Sequence, residues 1–232
     1  MVSDKDIKVA VIIAAGGKGE RMKAEIPKQF ISLHNKPIIV HTLRKFAGCP
    51  GVQKIILIVP ENEVAETDLL VSKWNIVKNT EVIAGGKTRQ HSVWNGLRKI
   101  PAEIEIVMVH DGVRPFISEK IISKCIEETK KWGAVITAVP VSDTVKEVVN
   151  NSVSRTLDRS KLWRVQTPQC FKKEILTKAY KKAWETNQTA TDDSALVEKT
   201  GYTVRVIQGE EKNIKITSPE DLKIAEKLLE EK

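Results

Sequence analysis

The stretch "KVAVIIAAGGKGERMKAEIPKQF" (residues 8–30) passes from an apolar run into small residues and then into a loop rich in cations. Residues 8–14 are mostly β-branched or small apolar side chains with no polar alternation, the pattern of a strand buried on both faces. Gly16, Gly17 and Gly19 then remove side chains where a ligand would approach the backbone, and successive amides in such a loop form an anion-binding nest. Lys18, Arg21, Lys23 and Lys28 add positive charge around it. The bland alternative is a Gly/Lys surface loop.

Working outward, strands and helices alternate. Residues 37–46 suit a helix opened by proline. Residues 54–59 form a second strand, followed by a polar amphipathic stretch. Residues 80–84 form a third strand, ending at Gly85-Gly86. In "TRQHSVWNGLRKI" (residues 88–100), Val93, Leu97 and Ile100 share one helical face. Residues 105–109 make a strand ending at His110-Asp111. Ser118 caps a helix that buries Ile121, Ile122, Cys125 and Ile126. Residues 134–139 and 204–207 read as further strands, and Ser218-Pro219 opens a C-terminal helix with Leu222, Ala225 and Leu229 inward. The alternating "NIKIT" (residues 213–217) reads as a short strand, with Ile214 and Ile216 toward a core and Lys215 on the opposite side.

This order predicts an α/β fold: a Rossmann-like, mainly parallel sheet with helices on both faces. Ligands in such sheets bind beyond the strands' carboxyl ends. That rule marks the loops at residues 14–28, 85–89 and 111–114. One stretch departs from the alternation. "VSDTVKEVVNNSVSRTLDRSKLW" (residues 141–163) holds two short runs around Asn150-Asn151, a pair that accepts positive φ, and reads as a projecting β-hairpin arm. An isolated hairpin is marginal alone, so a second subunit is its expected support.

Length and composition bound the function. A chain of 232 residues suits one domain (residues 1–232), with residues 141–160 as the arm. With 41% hydrophobic and 29% charged residues it reads as globular. Its longest apolar runs fall far short of the roughly 20 residues that cross a bilayer. No secretory signal shows in "MVSDKDIK", and three widely separated cysteines form no metal spacing, so a reducing cytoplasm and no membrane partner are expected. The net charge of +8 fits either a nucleic-acid footprint or an anionic small-molecule site on a soluble surface. Scattered lysines and only 5% aromatic residues weigh against nucleic acid.

Two common phosphate loops do not fit. A Walker A loop would need glycine at Ile12 and Ser or Thr at Gly19, and a dinucleotide fingerprint would meet the bulky Met22. "HDG" and "TDD" also lack the D-x-D spacing of many glycosyltransferases.

Taken together, "AAGGKGERM", "PKQF", "GGKTRQHSVWNGL", "VHDGVRPF", "PVSDTVK", "DRSKLWRVQTPQCF", "TDDSALVE" and "NIKITSPEDL" resemble, in order and spacing, the 2-C-methyl-D-erythritol 4-phosphate cytidylyltransferase family. The likeness spans roughly residues 9–229. Ribitol 5-phosphate cytidylyltransferases share several of these motifs but typically carry Arg-Asp-x-Met-Tyr before "QTPQ", where this chain has "LDRSKLWRV".

The resemblance implies that CTP and methylerythritol phosphate give CDP-methylerythritol and pyrophosphate, with Mg²⁺ held mainly by the CTP phosphates. It implies Arg21, Lys28 and Lys215 as catalytic cations. It places CTP against Ala14, Ala15, Gly16, Gly17, Lys18, Gly19, Arg21, Lys28, Gly85, Gly86, Lys87 and Ser92. Lys87 stands where many relatives have an acid. The polyol phosphate falls to Asp111, Arg114, Thr144, Arg159, Thr167 and Lys215, with Thr144 and Arg159 supplied across a homodimer through the arm. Whether Asp111 orients polyol hydroxyls or sits near the metal stays open at this level. The four histidines form no catalytic pattern, as expected when the nucleophile is a phosphate that is already anionic, its second pKa lying near 6.

Overall fold

The computed structural model describes residues 7–17, 22, 26–76 and 79–230. Strands β1 (Val9–Ala14), β4 (Val52–Val59), β5 (Asn79–Ala84), β6 (Ile106–Asp111), β7 (Ala134–Pro140), β10 (Trp163–Lys172) and β11 (Arg205–Gln208) form one sheet. Its order is β11-β7-β10-β6-β1-β4-β5. β1 runs parallel to β4 and β6, and β4 to β5. β10 is antiparallel to both β6 and β7, so among the seven it alone runs backwards. The hairpin of β2 (Ser32–Leu33) and β3 (Lys36–Pro37) stands apart from this sheet.

Alternation along the strands sends successive residues to opposite faces. Val9, Val11 and Ile13 of β1 join a core with Ile39 and Leu43 of α1 (Ile38–Ala47) and Ile121, Ile122 and Cys125 of α4 (Glu119–Trp132). The helix α2 (Val64–Lys73) lies on this face through Val71. Ala10 and Ile12 join a second core with Val93 and Leu97 of α3 (Arg89–Arg98), Leu176 and Tyr180 of α5 (Lys173–Glu185), and Leu196 of α6 (Asp193–Glu198). Helices therefore cover both faces, as expected. Burying each such Ile or Leu contributes roughly 1.5–3 kcal/mol. A third, smaller core gathers Met22, Leu33, Ile38, Val113, Phe116 and Ile216 beneath α7 (Pro219–Glu230). It fixes the segment carrying Lys215 beside the end of β6.

The arm forms as expected. β8 (Lys146–Val149) pairs antiparallel with β9 (Ser152–Thr156) as a separate two-stranded sheet. Asn150 and Asn151 both take positive φ, 49° and 60°. Val148, Val149 and Val153 remain exposed on it.

Three expectations are corrected. Pro37 stands at the cap of α1 rather than inside it, with ψ 142°, because its ring fixes φ without completing the helical turn. "NIKIT" is not a strand: it makes a single backbone bond to its neighbour, Ile216 N–H to the Val113 carbonyl at 3.0 Å. The inward-outward alternation nonetheless holds, with Ile216 buried and Lys215 exposed. Strand β6 also continues through His110 and Asp111, which places that carboxylate on the sheet's edge.

Candidate active site

The carboxyl edge of the parallel strands carries a cleft of about 290 Å³. One wall is Ala14, Ala15, Gly16 and Gly17, following β1, with Lys28 and Gln29 beside them. The loop after β5 and the start of α3 add Gly86, Lys87, Thr88, Arg89 and Ser92, and the end of β6 with the segment bonded to Val113 adds Asp111, Val113 and Lys215. A larger hollow of about 1260 Å³ lies at the opposite edge, lined by Ile104, Lys130, Lys173 and Lys178 among others. The smaller cleft is the stronger candidate, because it sits at the strands' carboxyl ends and polar groups converge in it.

Each wall has a local cause. A Cβ on Gly16 would meet nothing within 4 Å, so this backbone faces open space a ligand can enter. A Cβ on Gly86 would stand 2.5 Å from the His91 Cβ, so only glycine lets the loop fold this tightly onto α3. Thr88 caps α3 by accepting from the His91 amide at 3.1 Å. The Ser92 hydroxyl accepts from the Gly86 amide at 3.0 Å and donates to the Thr88 carbonyl at 2.9 Å. Its proton is therefore committed to the loop, and what it offers the cleft is an acceptor lone pair.

Asp111 is the centre of charge. Its Oδ2 accepts from Lys215 Nζ at 3.0 Å and from Arg114 Nε at 3.2 Å, while Oδ1 lies 3.9 Å from Arg89 Nε. Burial works against its ionisation, but Lys215, Arg89 and Arg114 together hold the carboxyl well below the usual range. Arg89 is paired more closely with Asp193, at 2.7 Å, so two carboxylates stand among the three cations and a net positive charge remains at this end of the cleft. It also makes Asp111 a poor metal ligand, since a divalent ion there would have to sit among those cations. Among the described residues no group of three or more His, Cys, Asp or Glu is placed to hold a metal.

Behind Asp111 lies a closed polar network. The Arg114 carbonyl can only accept, so His110 Nε2 donates to it, at 3.1 Å. His110 Nδ1 then accepts from the Thr167 hydroxyl at 3.0 Å, whose oxygen in turn accepts from the Asp111 amide at 3.1 Å. Burial lowers the His110 pKa to about 4, so the ring is neutral. Arg114 also donates to the Asn213 carbonyl at 2.8 Å, and Asn213 Nδ2 donates to the Thr167 carbonyl at 2.9 Å. This lattice ties β6, β10 and the Lys215 segment into one frame.

Of the residues singled out in the sequence, Ala14–Gly17, Lys28, Gly86, Lys87, Ser92, Asp111 and Lys215 line the cleft. Gly85 packs behind, where a Cβ would stand 2.9 Å from the Ser92 hydroxyl. Arg114 and Thr167 belong to the supporting network rather than to the cleft wall. Thr144 and Arg159 lie at the base of the arm, exposed and outside their own chain's cleft, with Arg159 donating to the Ser142 carbonyl at 2.7 Å. Lys18, Gly19 and Arg21 lie outside the described residues. His110 and Asn213 were not singled out as site residues, and Arg89 was marked only as the end of the loop at residues 85–89, with no role given to its side chain. Arg89 sat inside the quoted "GGKTRQ" motif, and Asn213 directly before the alternating run.

A mainly parallel α/β sheet with a small-residue loop and a cation-ringed carboxylate at its carboxyl edge defines a class: an α/β domain with a cationic cleft at the carboxyl ends of its strands. The chain belongs to the family IspD: 2-C-methyl-D-erythritol 4-phosphate cytidylyltransferase, which matches residues 9–231. A bifunctional enzyme IspD/IspF of Desulfotalea psychrophila is 47% identical over 223 residues, 96% of this chain and 57% of that protein. A 2-C-methyl-D-erythritol 4-phosphate cytidylyltransferase of Syntrophus aciditrophicus is 45% identical over 96% of both chains. The chain thus spans a little over half of the bifunctional relative and nearly all of the second. The crystal structure of 4-diphosphocytidyl-2C-methyl-D-erythritolsynthase from Anaerococcus prevotii superposes with a TM-score of 0.85 at 31% identity, covering 97% of this chain and 99% of that one.

Proposed function

We propose that the chain joins CTP and 2-C-methyl-D-erythritol 4-phosphate into CDP-methylerythritol, releasing pyrophosphate, as an isoprenoid-precursor cytidylyltransferase. The observation that carries this reading is Asp111 ringed by Arg89, Arg114 and Lys215 in the same cleft as the open backbone of Gly16.

An oxygen of the substrate phosphate bonds to the α-phosphorus of CTP. The bond from that phosphorus to the bridging oxygen breaks, and pyrophosphate departs with the electron pair. The nucleophile is already ionised near neutral pH, so no general base is needed and the neutral, buried His110 is consistent with that. The difficulty is bringing two anions together, which positioning and fixed positive charge solve. Lys28 and Lys215 supply that charge at the α-phosphate and the leaving group, together with Arg21 and Lys18 in the role the resemblance implies. Asp111 keeps the cations of its own cluster together until the ligand arrives. The backbone of residues 14–17 and Gly19 takes the phosphates. The segment from Gly85 to Ser92 takes the base, and with Lys87 in place of an acid it does so through backbone groups and the Ser92 lone pair. Mg²⁺, when bound, would be held mainly by the CTP phosphates and would neutralise part of their charge.

The arm supports a homodimer. Val148 and Val153, directly paired across the hairpin and both exposed, offer an apolar face, and Thr144 and Arg159, outside their own cleft, are available to a neighbour's polyol phosphate. Cytoplasmic location fits the sparse free cysteines, and no helix among the described residues is long and apolar enough to cross a membrane. Ribitol 5-phosphate is the disfavoured substrate, because the family match and the "LDRSKLW" segment both point away from it.

Phosphorus NMR of a mixture of Mg–CTP, methylerythritol phosphate and the protein tests the reaction. Coupled diphosphate resonances of a CDP-polyol should grow in step with pyrophosphate. Inorganic phosphate in place of pyrophosphate would refute displacement at the α-phosphorus.

A further inference from the structure

The segment "TDDSALVE" (residues 191–198) is not part of the cleft wall, yet it directs one carboxylate at it. Asp193, in the first turn of α6, is 1% exposed. Its Oδ2 accepts from an Arg89 terminal nitrogen at 2.7 Å and its Oδ1 from the Tyr180 hydroxyl at 2.5 Å. The turn that carries it is clamped from the sheet. Gln169 Oε1 of β10 accepts from the Asp193 and Ser194 amides at 3.1 and 3.0 Å, and its Nε2 donates to Asp192 at 2.8 Å.

Arg89 is the opposite case. It opens α3, lines the cleft and keeps a third of its side chain exposed. Its Nη1 makes no hydrogen bond among the described residues, and its Nε is only loosely paired with Asp111. Burial works against its charge, but Asp193 and Asp111 more than offset this and keep it protonated. A buried ion pair is a poor device for stability alone, since apolar side chains of similar volume often serve as well. What apolar packing cannot supply is a guanidinium held at one angle on a cleft wall. Arg89 follows directly on the loop proposed to take the base, lies 3.9 Å from Asp111 through its Nε, and lines the same cleft as Gly16, Gly17 and Lys215, whose backbone and charge suit a triphosphate.

We infer that Arg89 is a further CTP-binding residue that contacts the triphosphate, and that Asp193 is the positioning residue that aims it. This rests on the cytidylyltransferase reading.

The test compares Arg89→Gln, Asp193→Asn and the double variant, with Kd for Mg–CTP by calorimetry, KM and kcat by pyrophosphate release, and Tm. Arg89→Gln should weaken CTP binding by about tenfold or more, the scale of a lost charge-assisted contact. Asp193→Asn should raise Kd and KM for CTP about three- to tenfold with a smaller change in kcat. The double variant should bind CTP no worse than Arg89→Gln alone, because a residue acting through another is non-additive with it. Its Tm should exceed that of Arg89→Gln, whose Asp193 is left buried without its cation. If Arg89→Gln does not fold, Arg89→Lys, which keeps the charge without the planar fork, should still weaken CTP measurably. Asp193→Asn shifting Tm while leaving CTP affinity within about twofold, or additive losses in the double variant, would overturn the assignment. A wild type that binds CTP but turns over no methylerythritol phosphate refutes the cytidylyltransferase reading and leaves the binding comparison to decide Arg89. A wild type that binds no CTP refutes both.

Discussion

Lys215 Nζ and Asp111 Oδ2 stand 3.0 Å apart, but the two side chains are held very differently: Lys215 is 40% exposed and Asp111 only 9%. Asp111 keeps Arg114 at 3.2 Å on the same oxygen whether or not Lys215 stays. Lys215 is therefore the member of the pair that can turn to an incoming phosphate, with Asp111 as its resting partner.

Replacing that lysine should separate chemistry from folding. Lys215→Met should lower kcat by roughly 10²–10³, the scale of removing one preorganised charge from a transition state. The Tm should move little, because the lysine is half-exposed and Asp111 keeps Arg114. Steady-state kinetics beside a thermal melt checks both halves, and an unchanged kcat would remove Lys215 from the chemistry.

Two glycine substitutions should have opposite signatures. Gly16→Ala meets open space, so its stability should stay within about 1 kcal/mol of wild type while KM for CTP rises. Gly86→Ala collides with His91 Cβ at 2.5 Å and should cost about 1–3 kcal/mol in stability. Denaturant melts with CTP titrations distinguish them. Unaltered CTP affinity in Gly16→Ala would mean that the ligand does not approach this backbone.

The pH dependence of stability has a specified sign. His110 is held neutral by burial, with its pKa lowered to about 4, whereas an unfolded histidine titrates near 6.5. Between these values the unfolded chain binds one more proton. Stability is therefore full above about pH 6.5 and declines as the pH falls toward 4, by on the order of 3 kcal/mol. Asp111, whose pKa is depressed, adds a further loss below about pH 4. Urea midpoints across this range should show the decline, and His110→Gln should flatten its upper part. A slope identical to wild type in that variant would refute the neutral-histidine network.

The arm should separate assembly from catalysis. Val148→Asp with Val153→Asp puts charge on its apolar face and should convert a sedimenting dimer to monomer with loss of turnover. Arg159→Ala should keep the dimer and CTP affinity but raise KM for the polyol phosphate. Polyol kinetics unchanged in Arg159→Ala would place the neighbour's contribution elsewhere.

Legibility in the sequence followed the range of the interactions. The β-branched run at residues 9–14, the Asn150-Asn151 turn and the Ser118 cap are local, and each formed where its pattern placed it. Asp111 was visible because it ends an apolar strand. The strand β10 was not anticipated, because Pro168 interrupts it and a proline ordinarily argues against an interior strand. Its pairing with β7 does shift between Val165 and Gln169, around that proline. Arg89 lay in a marked loop, but its pairing was not legible: its partner Asp193 lies 104 residues away, and no periodicity signals such a pair. Lys215 was legible in its outward direction but not in its setting, since one bond to Val113, rather than a strand ladder, holds its segment.

The most direct test of the central claim is pyrophosphate release from Mg–CTP, with methylerythritol phosphate and ribitol 5-phosphate offered in parallel. Release with methylerythritol phosphate and not with ribitol 5-phosphate is the predicted result. Release with ribitol 5-phosphate alone, or with neither, would contradict it.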